Sequence, residues 1–406
     1  MPMTFESLCT RDFMPGDARD LFGAHILPIY QTSTFVYESP EKIMEVFRGN
    51  GEAYVYSRWG NPTVDAVERK IAALEAHGLQ KDNKEIPLKA LLFSSGMAAI
   101  SALFMAALKP EEKILTSGNI YGTTVELLNT LMHSHGIETV YRDLSDPSAI
   151  EEALNNDKRI RMIYCESPSN PTVQIYDLSL LSELAHRHGA KLAVDNTFSS
   201  PYLQQPFRWG ADHVLHSTTK YLNGHGTALG GILISTDLDF IEEKAWKMRK
   251  ILGGNSNAME AWLLNNGLKT LPLRMDKHCS NAAHLAIFLQ NQRAVEKVHY
   301  AGLESHPGYY LAKKQMRLPG GVLSFELKGG LRAGIRFMKH IRFSTLTSTL
   351  GTPDTLITHP ASMTHVNVPK LQRQANGIGD GLIRMSVGLE HVDDIKADLK
   401  RALAAL

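Results

Sequence analysis

Cysteine is scarce in this sequence. Cys9, Cys165 and Cys279 are the three cysteines among its 406 residues, and no two of them form a Cys-x-x-Cys pair. A disulfide framework and a thiolate zinc site are therefore not expected, and the pattern is typical of proteins of the reducing cytosol. The seventeen histidines include no His-Glu-x-x-His pattern, so we predict no metal site.

Net charge is almost absent as well. Forty-three lysines and arginines stand against 42 acidic residues, for a formal net charge of +1. This balance excludes a strongly basic chain of the kind that binds nucleic acid or an anionic membrane surface. The sequence shows no signal peptide, and no apolar run reaches the ~18 residues of a membrane-spanning helix. We expect a cytoplasmic protein with no nucleic-acid partner and no membrane partner.

Short apolar runs alternate with helix-period segments in the middle of the chain. Hydrophobic residues make up 43% of the sequence, enough for a large core and two or three domains. Strands that alternate with helices predict a mostly parallel sheet that is buried on both faces. The strand-like runs are ALLFSS (90–95), KILTS (113–117), TVYRDL (139–144), RMIYCES (161–167), KLAVDN (191–196) and HVLHST (213–218).

The two ends of the chain differ from this α/β middle. Residues 1–61 contain the extended segment HILPIYQTSTFVY and are predicted to form an N-terminal arm. A large α/β domain is predicted over 62–265, and its first helix begins at Pro62. A smaller α+β domain is predicted over 266–406, where the segments VLSFELKGG and IRMSVGLE precede a final helix.

Chemically distinctive segments follow four of the predicted strands, at the edge where open α/β sheets bind ligands. The turn SSGMAA opens a helix, and the backbone N–H groups of Gly96 and Met97 would form a phosphate seat there. The run LAVDN ends with Asp195, a carboxylate that needs water, a backbone cap or a cationic ligand at that place. On this pattern alone a capping role for Asp195 is equally compatible.

A lysine among hydroxyl side chains is the most unusual of these segments. HVLHSTTK ends a strand with Ser217, Thr219 and Lys220. One strand-helix-strand step separates Lys220 from Asp195, so both residues can reach one crevice from neighbouring strand ends. Asn170, in the segment ESPSNPT, follows another strand.

Together these segments suit pyridoxal 5′-phosphate (PLP). This cofactor needs a lysine amine for a Schiff base, a carboxylate at its pyridine nitrogen, donors for its phosphate and an aromatic face for its ring. Lys220 and Asp195 supply the first two, and Tyr121 in GNIYGTT could supply the ring contact. A dinucleotide site is disfavoured, because GHGTALG (224–230) has GxGxxxG spacing and is followed by the strand-like ILIS.

The chain resembles the Cys/Met-metabolism family of PLP-dependent enzymes, closest to its methionine γ-lyase and cystathionine γ-lyase branch. The resemblance runs from PIYQTSTF to SVGLEHVDDI and includes YSRWGNPT, SSGMAA, IYGTT, ESPSNPT, VDNTF, HSTTKYLNGHG, GLKTLPLRM, HPASMTH and IRMSVGLE. It implies the type I fold of PLP enzymes, which is aspartate aminotransferase-like. That fold has a large domain with a mostly parallel sheet and a small α+β C-terminal domain.

The resemblance also implies a role for individual residues. Lys220 would hold the cofactor and act as general base, Asp195 would bond the pyridine nitrogen, and Tyr121 would stack on the ring and give a proton to the leaving group. The ring cation would lower the pKa of Asp195, and a pocket of low polarity would help Lys220 to become neutral. The cofactor phosphate would be held by Gly96, Met97, Ser217 and Thr219, and Asn170 would lie near the phenolic oxygen of the cofactor ring. Tyr56 and Arg58 would reach the cofactor phosphate of the neighbouring subunit. Arg384 and Thr349 would contact the substrate. Without the resemblance, Arg384 could form a surface ion pair and Tyr121 a core contact.

The implied reaction is the elimination of the γ-substituent of methionine or cystathionine, which yields a 2-oxo acid, ammonia and a thiol. A γ-replacement enzyme of trans-sulfuration or methionine biosynthesis, such as cystathionine γ-synthase or an O-acylhomoserine sulfhydrylase, would use the same residues and is the alternative. Thr123 stands where methionine γ-lyases typically carry cysteine, and Ser348 precedes Thr349 where cystathionine-specific enzymes commonly have glutamate. NGHGTALGG is similar to the sulfhydrylases. A non-catalytic regulator with the same fold is disfavoured, because Lys220, Asp195 and Tyr121 are all in place. The family implies a homotetramer built from dimers with shared active sites.

Overall fold

The computed structural model describes residues 3–13, 23–48, 53–81 and 84–406. The helix Gly122–Leu127 continues into a π-helical turn at Leu128–Met132, and a similar turn at Phe240–Ala245 leads into the helix Trp246–Leu252. The helices are α1 (Phe5–Thr10), α2 (Pro40–Phe47), α3 (Pro62–Ala76), α4 (Gly96–Ala107), α5 (Gly122–Leu127), α6 (Pro147–Asn156), α7 (Leu178–Arg187), α8 (Ser200–Leu203), α9 (Trp246–Leu252), α10 (Ala258–Leu268), α11 (Leu271–Gln290), α12 (Tyr309–Gln315), α13 (Gly330–His340), α14 (Lys370–Ala375) and α15 (Val392–Leu403).

A mostly parallel sheet of seven strands forms within the described residues. Its order is β1–β7–β6–β5–β4–β2–β3; β7 runs antiparallel to both of its neighbours, β1 and β6, and the other pairs are parallel. Each of the six predicted strand-like runs overlaps one of these strands, three of them with a start one residue late, which confirms the predicted α/β class. The strands are β1 (Lys89–Phe93), β2 (Lys113–Thr116), β3 (Glu138–Tyr141), β4 (Ile160–Glu166), β5 (Lys191–Asp195), β6 (His213–His216) and β7 (Gly231–Ser235).

Helices cover both faces of this sheet. Ile71 of α3 and Val194 of β5 belong to the core on one face, and Leu103 of α4 and Ala193 of β5 belong to the core on the other. Consecutive residues of β5 thus enter opposite cores, as the alternation of side chains along a strand requires. The strands read as continuous apolar runs because neither face meets water.

Local capping signals place the helix starts. The Asn61 side chain accepts a hydrogen bond from the Thr63 N–H at the start of α3, where Pro62 occupies the first turn. The Asp177 carboxylate accepts hydrogen bonds from the Ser179 and Leu180 N–H groups at the start of α7. Each side chain satisfies N–H groups that have no partner within the helix.

The C-terminal third builds a second sheet, which within the described residues has five strands. Its order is β8–β9–β12–β11–β10, antiparallel except for the β10–β11 pair. Leu285 of α11, Phe337 of α13 and Leu399 of α15 share its core. This is the α+β character expected of the small domain. The strands are β8 (Val295–His299), β9 (Val322–Leu327), β10 (Thr345–Leu346), β11 (Leu356–Thr358) and β12 (Leu382–Ser386).

The predicted domain limits at 61/62 and 265/266 remain predictions, and parts of the predicted arm (1–2, 14–22 and 49–52) lie outside the described residues.

A membrane-spanning segment would need a long apolar helix. None of the helices in the described ranges is long and apolar enough to cross a bilayer.

Candidate active site

Lys220 lies in a tight turn beyond the carboxyl end of β6. Its N–H donates to the Ser217 carbonyl at 3.1 Å, and its own carbonyl accepts from the Gly224 N–H at 2.7 Å. The Nζ atom donates to the Thr349 hydroxyl at 2.7 Å. Burial, and secondarily the nearby Arg384 guanidinium, lowers the pKa of the Lys220 amine to about 8. The amine is therefore much more often neutral near neutral pH than that of an ordinary lysine.

The loop that carries Thr349 crosses from the C-terminal sheet directly over Lys220. Gly351 in this loop has a φ of +82°, and a Cβ built on it would lie 2.8 Å from the Tyr221 nitrogen and 3.0 Å from the Lys220 carbonyl carbon. Both the left-handed backbone and the close approach therefore require glycine. This contact brings the Thr349 hydroxyl to the lysine amine.

Asp195 ends β5 and faces the same crevice. Its Oδ1 accepts from the Thr197 N–H at 3.0 Å, and the Thr197 hydroxyl accepts from the Ser217 N–H at 2.8 Å, which ties the ends of β5 and β6 together. Burial raises the pKa of the Asp195 carboxyl, and within the described ranges no Lys, Arg or His side chain forms an ion pair with it. The hydrogen bonds from Thr197 and the nearby His216 act to lower this pKa, but burial outweighs them. The predicted lowering would therefore need a bound cation as well.

The phosphate contacts of Gly96 and Met97 are predicted at the start of α4. The Ser95 side chain caps the Ala98 N–H at 3.0 Å, which leaves the Gly96 and Met97 N–H groups without a side-chain cap. A Cβ built on Gly96 would lie 3.0 Å from the Ser217 Cβ and 3.2 Å from its hydroxyl oxygen. The helix start and the Ser217 hydroxyl thus face one small space, which has the positive potential of a helix N-terminus.

Thr219 is predicted to contact the same phosphate, but its hydroxyl already has backbone partners. It accepts from the Gly230 N–H at 3.0 Å and donates to the Gly230 carbonyl at 3.2 Å. The predicted phosphate contact of Thr219 would therefore use a hydroxyl that also holds the loop before β7. The side chain of Met97, another predicted phosphate contact, points elsewhere in the hydrogen-bond network: its sulfur accepts from the Thr124 hydroxyl at 3.7 Å.

Arg384, on β12, joins the two sheets at the mouth of the crevice. Nη1 donates to the Asn170 side-chain oxygen at 3.0 Å, and Nη2 donates to the carbonyls of Ser348 at 3.1 Å and Thr349 at 2.8 Å. The residue is 4% exposed, and burial lowers the pKa of its guanidinium to about 10. A surface ion pair is thus ruled out. The Nε atom is buried without a hydrogen-bond partner, so the guanidinium retains a donor for an anionic ligand.

Tyr121 precedes α5 at the same sheet edge. Its side chain is 47% exposed, so it is not a core residue. Its backbone N–H donates to Glu166 Oε1 at 2.7 Å, and its phenol lies within electrostatic range of Arg384. Glu166 was not among the predicted site residues. Its position could have indicated it, because it is the last residue of the strand that pairs with the strand of Asp195.

Tyr56 and Arg58 lie apart from this cluster. Tyr56 pairs with Thr34 through an isolated β-bridge, and the Arg58 guanidinium lies 5.3 Å from the centre of the Tyr56 ring. Arg58 Nη1 donates to the Lys250 carbonyl. Within the described ranges no hydrogen bond or ion pair joins either side chain to Lys220 of the same chain. Their predicted role in a neighbouring subunit remains a prediction.

Comparison with known proteins identifies the family. A model of Cys/Met metabolism PLP-dependent enzymes matches residues 12–404. The chain belongs to this family. It is 41% identical to L-methionine gamma-lyase of Fusobacterium nucleatum subsp. nucleatum over 404 residues, which covers 99% of both chains. It is 39% identical to O-succinylhomoserine sulfhydrylase of Pseudomonas aeruginosa, over 99% of this chain and 96% of that protein.

A solved structure confirms that this chain has the predicted fold. Cystathionine gamma synthase of Xanthomonas oryzae pv. oryzae, in complex with aminoacrylate and cysteine, superposes with a TM-score of 0.90 at 35% identity. The match covers 100% of this chain and 99% of that one. The predicted type I fold is therefore correct, and the cofactor of this family is pyridoxal 5′-phosphate.

The described residues fit this cofactor. Lys220 offers an amine of lowered pKa, and Asp195 offers a buried carboxylate that lacks a cationic partner. Gly96 lets the start of α4 pack directly against Ser217, since a side chain at position 96 would collide with it, and this brings two of the predicted phosphate contacts together. A buried charge requires a partner, and the protonated pyridine ring would be one for Asp195.

Proposed function

We propose that this chain is a PLP-dependent lyase that removes the γ-substituent of a sulfur amino acid. The substrate would be methionine or cystathionine, and the products a 2-oxo acid, ammonia and a thiol. The observation that carries this proposal is the convergence on Thr349, whose hydroxyl accepts from Lys220 at 2.7 Å and whose carbonyl accepts from Arg384 at 2.8 Å. A proton-transferring amine and a carboxylate-binding fork therefore face one crevice, and the identity to an L-methionine gamma-lyase supports elimination.

Each of the chain's own groups has a distinct task in this reaction. When bound, pyridoxal phosphate supplies an electron sink for negative charge at the substrate Cα. Arg384 would bind the substrate carboxylate and thereby fix Cα beside Lys220, whose neutral amine would accept the Cα proton. Thr349 directs that amine, since its hydroxyl is the hydrogen-bond acceptor of Nζ. A second proton must also leave from Cβ before the Cγ–S bond can break. Tyr121, whose side chain is exposed, would then give a proton to the departing sulfur.

Replacement at Cγ of an O-acylhomoserine is the second candidate, in trans-sulfuration or methionine biosynthesis. Thr123 is exposed in the first turn of α5, two residues from Tyr121, where methionine γ-lyases typically carry cysteine. The likeness to an O-succinylhomoserine sulfhydrylase also favours this alternative. Both reactions would use the same proton-transferring groups, so only the products distinguish them.

Product analysis of the PLP-loaded enzyme tests the choice. Methionine, cystathionine, cysteine and an O-acylhomoserine are supplied separately, each with and without a thiol, and a Lys220→Ala protein serves as the blank. We expect a 2-oxo acid and ammonia from methionine or cystathionine without any added thiol. A product formed only from the O-acylhomoserine together with a thiol would establish the replacement reaction instead.

We propose further that the active unit is a homotetramer built from dimers whose active sites are shared. The arm exposes apolar side chains that suit a subunit interface: Val36 is 99% exposed and Phe47 is 60% exposed. Tyr56 and Arg58 extend from the same arm and would reach the neighbouring cofactor phosphate. A cytosolic location is supported by Cys9, Cys165 and Cys279, which are all buried and unpaired.

Mixed dimers test the shared site. A chain carrying Arg58→Ala and a differently tagged chain carrying Lys220→Ala are assembled together, and the mixed species is isolated through both tags. One site of each mixed dimer then combines an intact lysine with an intact arginine from the other chain, so about half of the wild-type activity should return. If Arg58 serves its own chain, the mixed dimer will be no more active than the two parent variants.

A further inference from the structure

Glu166 ends β4 immediately beside Asp195 at the end of β5. The parallel register pairs these two residues, just as it pairs Tyr164 with Ala193 two positions earlier. Paired positions of neighbouring strands point to the same face of a sheet, so the two carboxyl groups occupy one side of the sheet edge. Glu166 is 6% exposed.

Backbone donors and acidic or phenolic side chains face Glu166. Its Oε1 accepts from the Tyr121 N–H at 2.7 Å, and the Asn170 N–H also faces the carboxyl group. The facing titratable groups are Asp195 from β5, Tyr164 and Cys165 on its own strand, and Tyr176 from the segment before α7. His216 of β6 faces Asp195. Among the described residues no Lys, Arg or His side chain forms an ion pair with Glu166.

Two adjacent buried carboxyl groups without a cation retain a proton between them. Burial and the neighbouring Asp195 raise the pKa of Glu166 far above its ordinary value, and burial also raises the pKa of Asp195. If both were ionised, two negative charges would repel each other in a medium of low polarity. The positive pyridine ring of the cofactor would favour the negative charge on Asp195, which leaves the proton on Glu166.

We infer that Glu166 is a positioning residue of this active site. As a neutral carboxylic acid it would hold the backbone of Tyr121 and leave Asp195 as the sole anion beneath the cofactor ring. No side chain caps the start of α5, where Tyr121 is the N-cap residue, so the hydrogen bond to Glu166 is a direct constraint on where that helix and its tyrosine begin. The inference rests on the proposed function, because it uses the roles assigned there to Tyr121 and Asp195.

Two variants separate charge from hydrogen bonding. Glu166→Gln has the same size, is neutral and keeps a carbonyl acceptor, so as the conservative replacement it should retain kcat within about threefold and the PLP Kd within about threefold of the wild-type values. Glu166→Asp keeps the acid but is one methylene too short to reach the Tyr121 N–H. Its kcat should fall about 30-fold or more while its PLP Kd changes little. A larger loss in the glutamine variant than in the aspartate variant would overturn the inference.

Two measurements do not depend on turnover and therefore separate this inference from the proposed reaction. The infrared carbonyl band of a protonated carboxyl should be present in PLP-loaded wild-type enzyme at about pH 7 and absent from the glutamine variant. If the band is absent from the wild-type enzyme, Glu166 is ionised and the inference fails, whatever substrate the enzyme uses.

The thermal stability of the cofactor-free protein gives the second measurement. A carboxyl whose pKa is raised on folding contributes stability below its unfolded pKa, and that contribution is lost as pH rises toward the folded pKa. Glutamine does not titrate, so the Tm of Glu166→Gln relative to wild type should increase as pH rises from about 4.5 to about 7.5. A Tm difference that does not change with pH would contradict a neutral Glu166 and overturn the inference.

Discussion

Lys220→Ala will lose the visible absorbance that accompanies covalently held pyridoxal phosphate, and kcat will fall by about 10⁴-fold or more. The variant removes at once the proposed anchor of the cofactor and the proposed base for the Cα proton. The amine is suited to both tasks because burial and Arg384 lower its pKa to about 8. The wild-type apoenzyme should accordingly capture the cofactor aldehyde at a rate that rises with pH and is half-maximal near pH 8, because the neutral amine is the nucleophile.

Thr349→Val is the matched comparison for this experiment. It removes the hydroxyl that accepts from Lys220 Nζ but leaves the amine in place. We expect the visible absorbance to persist and kcat to fall only about tenfold, the effect of losing one hydrogen bond that orients the amine. Spectra and steady-state rates of the two variants, with circular dichroism as a check on folding, decide the matter. Retention of both absorbance and turnover by Lys220→Ala would refute the assigned role.

Arg384→Ala will reduce kcat/KM by about 10³-fold while the absorbance of the bound cofactor is preserved. The guanidinium is buried at the mouth of the crevice and is fixed by Asn170 and by the carbonyls of Ser348 and Thr349. A substrate carboxylate would find there a donor group that is already oriented. Arg384→Lys should recover little, because an ammonium cannot reproduce the planar fork.

The control for the arginine variants is Arg336→Ala, which removes an exposed arginine of α13 in the same C-terminal part of the chain. Its kcat/KM should stay within about twofold of wild type. Arg384→Ala also leaves three oxygen acceptors without their donor, so a loss of stability of about 1–3 kcal/mol is expected and its Tm should be measured alongside. A decrease in kcat/KM of less than about tenfold would exclude Arg384 as the main carboxylate-binding group.

The sequence by itself determined the fold class and the chemical groups of the site. The apolar runs predicted the strands of the large sheet because strands buried on both faces carry apolar side chains throughout. The strand ends then placed Asp195 and the turn of Lys220 at one edge. The turn before α4 predicted a phosphate contact at Gly96, which remains a prediction. These features are local, since capping, periodicity and turn geometry depend on residues a few positions apart.

The tertiary structure alone decided how these groups meet. Lys220 bonds Thr349 across 129 residues, Arg384 bonds Asn170 across 214, and Tyr121 bonds Glu166 across 45. No periodicity relates such partners, because packing of one sheet against another and the register between strands bring them together. The direction of the Asp195 pKa was decided in the same way: it depends on which groups surround the carboxyl, and in the protein alone burial prevails. The sequence determined which functional groups are available to the site, and the packing determined which of their atoms come into contact.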